Sequence, residues 1–243
     1  MKRTLYGVLI LTLMACSQTN GDGATAQSEP ATDSAATATS ATESSATTAT
    51  ETTATAATPA ATGTQEKSMS QYENKVAEIH TTAGEIDIRF FPDVAPNHVK
   101  NFIDLASKGF YNNTKFHRVI PGFMIQGGDP NTISGDPNTW GTGGSPTNVK
   151  AEFNTVSHKR GIVSMARAQD PNSASSQFFI VVADSPFLDR QYSVFGQVTK
   201  GMDVADKIVS APKGAQDRPN NPVSITKIVI RDAREDEKGA TPK

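Results

Sequence analysis

Arg118 is the residue in this chain best placed to act on a substrate: a permanently charged group set among Phe116, Phe123 and Met124, with Gln126 on the same stretch. A guanidinium does not titrate in the physiological range and holds five donors in a fixed plane, so its chemistry is electrostatic rather than acid-base. The other chemistry-bearing types are dispersed. Ser164, Ser173, Ser175 and Ser176 include none in a G-x-S-x-G elbow, and His80, His98 and His158 lack the spacing of metal ligands. Cys16 is the only cysteine and lies close to the N-terminus, which leaves no thiol nucleophile, disulfide framework or cysteine metal cluster for a folded domain. Hydrolysis, metal and redox chemistry are therefore unsupported, and no cofactor or metal is expected.

Three segments carry a specific pattern: Phe110 to Asp129 (FYNNTKFHRVIPGFMIQGGD), Met165 to Val181 (MARAQDPNSASSQFFIV) and Phe187 to Val198 (FLDRQYSVFGQV). In order and spacing they resemble the cyclophilin peptidyl-prolyl isomerases over roughly residues 73 to 232. The resemblance implies rotation about X-Pro bonds, where partial double-bond character imposes a barrier of roughly 18 to 20 kcal/mol. Such a reaction needs no nucleophile. It needs a donor that favours the twisted amide, in which the prolyl nitrogen becomes a pyramidal acceptor and the carbonyl stops sharing its charge. By resemblance Arg118 is that donor, with Gln126 orienting it. The proline ring would sit in an apolar pocket of Phe123, Met124, Phe179 and Leu188, types whose commoner place is a barrel core.

The resemblance also implies a rim along Gly141 and Ala166, Arg167 and Ala168, where the Arg167 backbone pairs with the peptide, and a backbone-binding role for Gln177. Arginine replaces a frequent asparagine at position 167, and Asp170 resembles a one-residue insertion in the same loop. Trp140, beside this rim, reads as loop packing. Phe187 and Tyr192 stand where the best-known eukaryotic members have tryptophan and histidine, and Gln191 replaces a lysine. His117 adjoins the arginine, but isomerisation transfers no proton, so its expected role is structural.

These side chains need a rigid frame. Val76 to Thr82 and Glu85 to Phe90 alternate apolar and polar residues around Ala83-Gly84, which predicts a hairpin with Ile86, Ile88 and Phe90 facing the core. Pro96 at a start, Val99, Phe102, Ile103 and Ala106 at helical spacing and Gly109 at a stop predict a helix of about a dozen residues. Phe178 to Val182, Val194 to Val198 and Ile225 to Ile230 read as strands, with a short helix near Asp203 to Ile208. The fold class is mainly β, and the resemblance implies an eight-stranded antiparallel β-barrel capped by two α-helices.

The N-terminal third has a different character. Lys2 and Arg3 precede an apolar run from Leu5 to Leu13, too short to span a membrane and laid out as a secretory signal over residues 1–15. Leu13-Met14-Ala15-Cys16 resembles the bacterial lipobox, so Cys16 is expected to carry acyl chains and anchor the chain in a lipid membrane. Ser17, not being aspartate, resembles an outer-membrane address, facing the periplasm if the organism is didermal. Residues 17–68 hold 15 Thr, 14 Ala and 7 Ser and no large aliphatic or aromatic residue. With nothing to offset ordering entropy, residues 16–70 are expected to be a disordered tether spanning on the order of 40 Å; such a composition can also carry O-glycans.

About 165 residues remain, enough for one domain at 71–234, followed by a charged tail at 235–243. From residue 70 onward there are 20 Lys and Arg against 19 Asp and Glu, with no basic stripe to suggest nucleic acid. The expectation is an exported, lipid-anchored, monomeric isomerase acting on proline-containing unfolded or extended polypeptides and so assisting folding. The alternatives are a chaperone-like peptide-binding scaffold using the same groove, and a stalk in which the Thr/Ala tether is the functional part.

Overall fold

Two strands whose every residue is buried lie within the sheet that organises this molecule, because that part of the sheet is covered on both faces. The computed structural model describes residues 70–239, 241 and 242; the expected signal, Cys16 and almost all of the Thr/Ala tether lie outside the described residues. Eight strands run β1 (Lys75–Thr81), β2 (Gly84–Phe90), β3 (Arg118–Ile120), β4 (Met124–Gly127), β5 (Ile162–Met165), β6 (Phe178–Val181), β7 (Val194–Lys200) and β8 (Ile225–Asp232). They form one sheet in the order β3-β4-β6-β5-β7-β2-β1-β8, with every pairing antiparallel.

The sheet curls until its edges meet. Residues just before β3 bond to the start of β8, with Ile225 N donating to Thr114 O at 2.7 Å and Phe116 N to Val223 O at 3.0 Å. Two helices cap it: α1 (Pro96–Ser107) and α2 (Met202–Val209). The α1 helix packs against β7 and β8, and α2 against β2, β3 and β4. The predicted hairpin is present as β1 and β2, and Gly84 at its turn has φ +141° with α2 so close that a Cβ would lie 2.7 Å from Val204 Cγ2. No helix among the described residues is long and apolar enough to cross a membrane.

Period-two alternation divides the buried side chains into two clusters. Ile125, Val163, Phe178, Ile180 and Phe195 point into the barrel with Phe90, Phe102, Tyr111 and Phe116. Their neighbours Met124, Ile162, Phe179, Val181 and Val194 point outward and pack with Phe91, Val156 and Leu188. This second cluster is the platform on which the site is built.

α1 has no cap of its own, since Ala95 supplies no side-chain acceptor. Glu152 does so from a distant loop, accepting from Asn97 N at 3.0 Å and His98 N at 2.9 Å and meeting buried His98 Nδ1 at 2.5 Å. Within the segment expected as a charged tail, Glu237 is buried, its carboxylate held by Arg231 at 2.6 and 2.7 Å and by Arg234 at 2.6 Å. Those guanidinium partners lower its pKa to about 2.

Candidate active site

The register of four strands sets one row of side chains on the outer face. Arg118 on β3 is opposite Gln126 on β4, Gln126 is opposite Phe179 on β6, and Phe179 is opposite Ser164 on β5. Met124, two residues before Gln126 and therefore on the same face, extends the apolar part of the row. Above it opens a groove of about 860 Å³.

Most residues singled out from the sequence meet there. Arg118, Gln126, Phe123, Met124 and Phe179 form the floor and one wall, while Leu188, Phe187 and Tyr192 come from the loop between β6 and β7. Gly141, Ala166 and Arg167 complete the rim. Gln177 and Ala168 face an adjoining depression of about 530 Å³ that shares Gln126, Gly141, Ala166 and Arg167 with the groove. Phe123, Met124, Phe179 and Leu188 all belong to the outer cluster and none to the barrel interior.

A chain of hydrogen bonds stiffens the polar half. Arg118 Nη1 donates to Gln126 Oε1 at 3.5 Å, Gln126 Nε2 to Gln177 Oε1 at 2.9 Å, and Gln177 Nε2 to the carbonyls of Gly141 and Gly143 at 3.0 and 2.7 Å. The Arg118 side chain stays 42% exposed, with Nε 3.7 Å from Asp217 Oδ2, so its donors face the groove from two-sided support. Asp129, buried beneath the rim, accepts from Gly141 N and from Asn131 N and so fixes the loop that Gln177 reaches. Gly141 itself has φ +89°, a left-handed conformation that favours glycine. Ala166 N donates to Gln177 O at 2.9 Å and Ala168 N to Ser173 Oγ at 2.8 Å. Between them the Arg167 backbone takes no hydrogen bond among the described residues, leaving an open edge.

Below the floor, His158 Nε2 lies 2.9 Å from Ser164 Oγ and its Nδ1 lies 2.9 Å from Asp189 Oδ1. The constellation has the order of a hydrolytic triad, yet Ser164 is 0% and His158 1% exposed, so no substrate reaches the hydroxyl. It serves as a support: the His158 ring stacks on Phe179 at 6.2 Å, and Tyr192 meets Phe179 edge-on at 5.6 Å. His117 is also buried, under Gly141, and burial lowers its pKa, which keeps it neutral beside Arg118. Asp170, read as an insertion, caps the short helical turn Pro171–Ser173 by accepting from Asn172 N at 2.9 Å.

Several groove residues had no signal in the sequence. Gln216, Asp217 and Arg218 enter from the loop between α2 and β8, where Gln216 and Asp217 both hold positive φ near 60° without being glycine. Trp140 packs its loop, donating Nε1–H to Gly135 O at 3.2 Å, and also forms part of the groove wall. Only the left-handed pair could have drawn attention, since such strain concentrates at functional sites, and side-chain type does not reveal it.

An outward apolar floor, a supported guanidinium at its edge and an open backbone rim lie together in one groove on the outside of the barrel. Comparison with known proteins is specific. Residues 76–230 match the family described as cyclophilin type peptidyl-prolyl cis-trans isomerase. The chain is 44% identical over 171 residues to a probable peptidyl-prolyl cis-trans isomerase of Brucella abortus, covering 68% of this chain and 87% of that one. It is 43% identical over 164 residues to peptidyl-prolyl cis-trans isomerase B of Escherichia coli, covering 62% and 96%. A crystal structure of a Cryptosporidium parvum cyclophilin type isomerase, obtained in the presence of the dipeptide Ala-Pro, superposes with a TM-score of 0.59 at 33% identity, covering 64% of this chain and 98% of that one. The chain belongs to the cyclophilin-type peptidyl-prolyl cis-trans isomerase family, and its enzyme class is that of a rotamase.

Proposed function

We propose that this isomerase acts on X-Pro bonds of exported polypeptides, with Arg118 as the catalytic group and Gln126 as the residue that positions it. The observation that carries the reading is the single row in which a supported guanidinium stands beside an apolar floor, Arg118 opposite Gln126 and Gln126 opposite Phe179. A pyrrolidine ring seated on Phe123, Met124, Phe179 and Leu188 brings its nitrogen and the preceding carbonyl toward Arg118. As the amide twists, the nitrogen lone pair and the carbonyl oxygen become better acceptors, and a fixed charge stabilises them more than it stabilises the planar ground state. The open edge at Arg167 would take the peptide backbone. The Cryptosporidium relative's crystallisation with Ala-Pro supports a proline-containing ligand here.

Export and anchoring rest on the sequence of residues 1–16, and assistance to folding follows from placing a rotamase where secreted chains emerge. The decisive experiment is cis-trans kinetics on short X-Pro peptides with the full-length protein and Arg118→Ala. Loss of one electrostatic donor should lower kcat/KM by roughly 10² to 10³ while the fold persists. A folded variant with the wild-type rate would reduce the groove to peptide binding alone.

A further inference from the structure

The groove is more positive than the domain that carries it. From residue 70 onward acids and bases nearly balance, 19 against 20, yet the groove is lined by Arg118, Arg167 and Arg218 against the single carboxylate of Asp217. That carboxylate is engaged, 3.7 Å from Arg118 and 2.7 Å from Lys213. Of the other nearby acids, Asp129, Asp136 and Asp170 turn to backbone N–H groups of their own loops, and Asp189 turns to His158 below the floor.

Arg167 and Arg218 are held in place without being neutralised. Arg167 donates to the carbonyls of Ala168 at 2.9 Å, Gln169 at 3.1 Å and Gln191 at 3.2 Å, and Arg218 donates to Gln216 Oε1 at 2.7 Å. Each guanidinium lies over an aromatic ring, Arg167 at 4.9 Å from Tyr192 and Arg218 at 5.6 Å from Trp140. Carbonyl partners and ring faces restrict the side chain but leave its full charge, so little ordering cost remains for binding an anion. Among the described residues neither guanidinium is paired with a carboxylate.

We infer that Arg167 and Arg218 make this enzyme selective for X-Pro segments with acidic side chains near the proline and biased against segments with lysine or arginine there. The inference rests on the groove being the substrate site. Exposed ion pairs of this kind each change affinity by a factor of about 1.5 to 5, so two of them give a preference of about two- to twenty-fivefold.

The test is kcat/KM of the full-length protein for matched peptides carrying Glu, Gln or Lys two residues before or two residues after the proline. The expected order is Glu above Gln above Lys at low ionic strength, narrowing in about 1 M salt, where the screening length falls to about 3 Å. Arg167→Gln and Arg218→Gln should each narrow the spread, and Arg167→Lys, which keeps the charge, should retain it. Turnover of the neutral Gln peptide tests the catalytic groove independently of charge. With that turnover in hand, equal kcat/KM for the three peptides overturns the inference, as does a spread that survives in the Arg167→Gln/Arg218→Gln double variant. Absence of turnover for every peptide would remove the groove as the substrate site and the inference with it.

Discussion

Phe187 carries a prediction that would separate drug binding from catalysis. It stands 62% exposed at the groove mouth with its ring 5.3 Å from Phe123, and the resemblance aligns it with the tryptophan whose indole N–H meets cyclosporin in drug-sensitive cyclophilins, a donor that phenylalanine lacks. An unpaired buried acceptor costs about 1 to 3 kcal/mol, so cyclosporin should inhibit this protein roughly ten- to a hundredfold more weakly than a tryptophan-bearing relative. Phe187→Trp should tighten inhibition while leaving kcat/KM little changed, because the proline floor of Phe123, Met124, Phe179 and Leu188 is untouched. Equal inhibition constants for the two forms would place Phe187 outside the drug site. At this scale the sequence was most legible where a residue type is rare in its setting, as with Arg118 among apolar neighbours. It was mute about Asp217 and Arg218, whose contacts with Arg118 and Trp140 depend on a left-handed turn that no residue type announced.

Among the elements, the longer ones and the apolar run of β6 were readable, and β3, β4 and β5 were not. α1 and α2 show clean periods because one face meets solvent, and β1 and β2 alternate apolar and polar types in sequence although Asp87 is buried between Ile86 and Ile88. β3 and β4 have three and four residues, too few for a period to emerge, and β5 is buried throughout, so its alternation is hidden by cover on both faces; β6, buried in the same way, was legible as a continuous apolar run. The loop element under the floor makes a testable claim about pH. Burial lowers the pKa of His158, and the nearby Asp189 carboxylate partly restores it; burial likewise lowers His117. A histidine whose folded pKa is depressed favours the native state fully above the unfolded value of about 6.5. That contribution is lost as pH falls below 6.5 toward the folded value, because the unfolded chain then binds more protons. Asp189→Asn keeps an acceptor for His158 N and Nδ1 but removes the charge, so the loss on acidification should steepen, each further unit of depression being worth about 1.4 kcal/mol. Urea midpoints across pH 5 to 7 measure this, and parallel profiles for both proteins would rule out the Asp189 effect.

At the scale of the whole molecule, the proposed anchor at Cys16 makes a testable claim about where the enzyme works. Replacing Cys16 with Ser should move the protein from the membrane fraction to soluble or unprocessed fractions, and an unchanged distribution would exclude the acyl anchor. The folded part has a property of its own that follows from its two-faced strands. Phe178 fills the barrel while Phe179 beside it floors the groove, so a slip of one residue in β6 would exchange them. No partly folded form with that slip could be active, and the amides of β4, β5 and β6 beneath the site should be among the last to exchange their hydrogens. Enzymatic activity recovered during refolding is therefore a clock for the moment at which strand register locks.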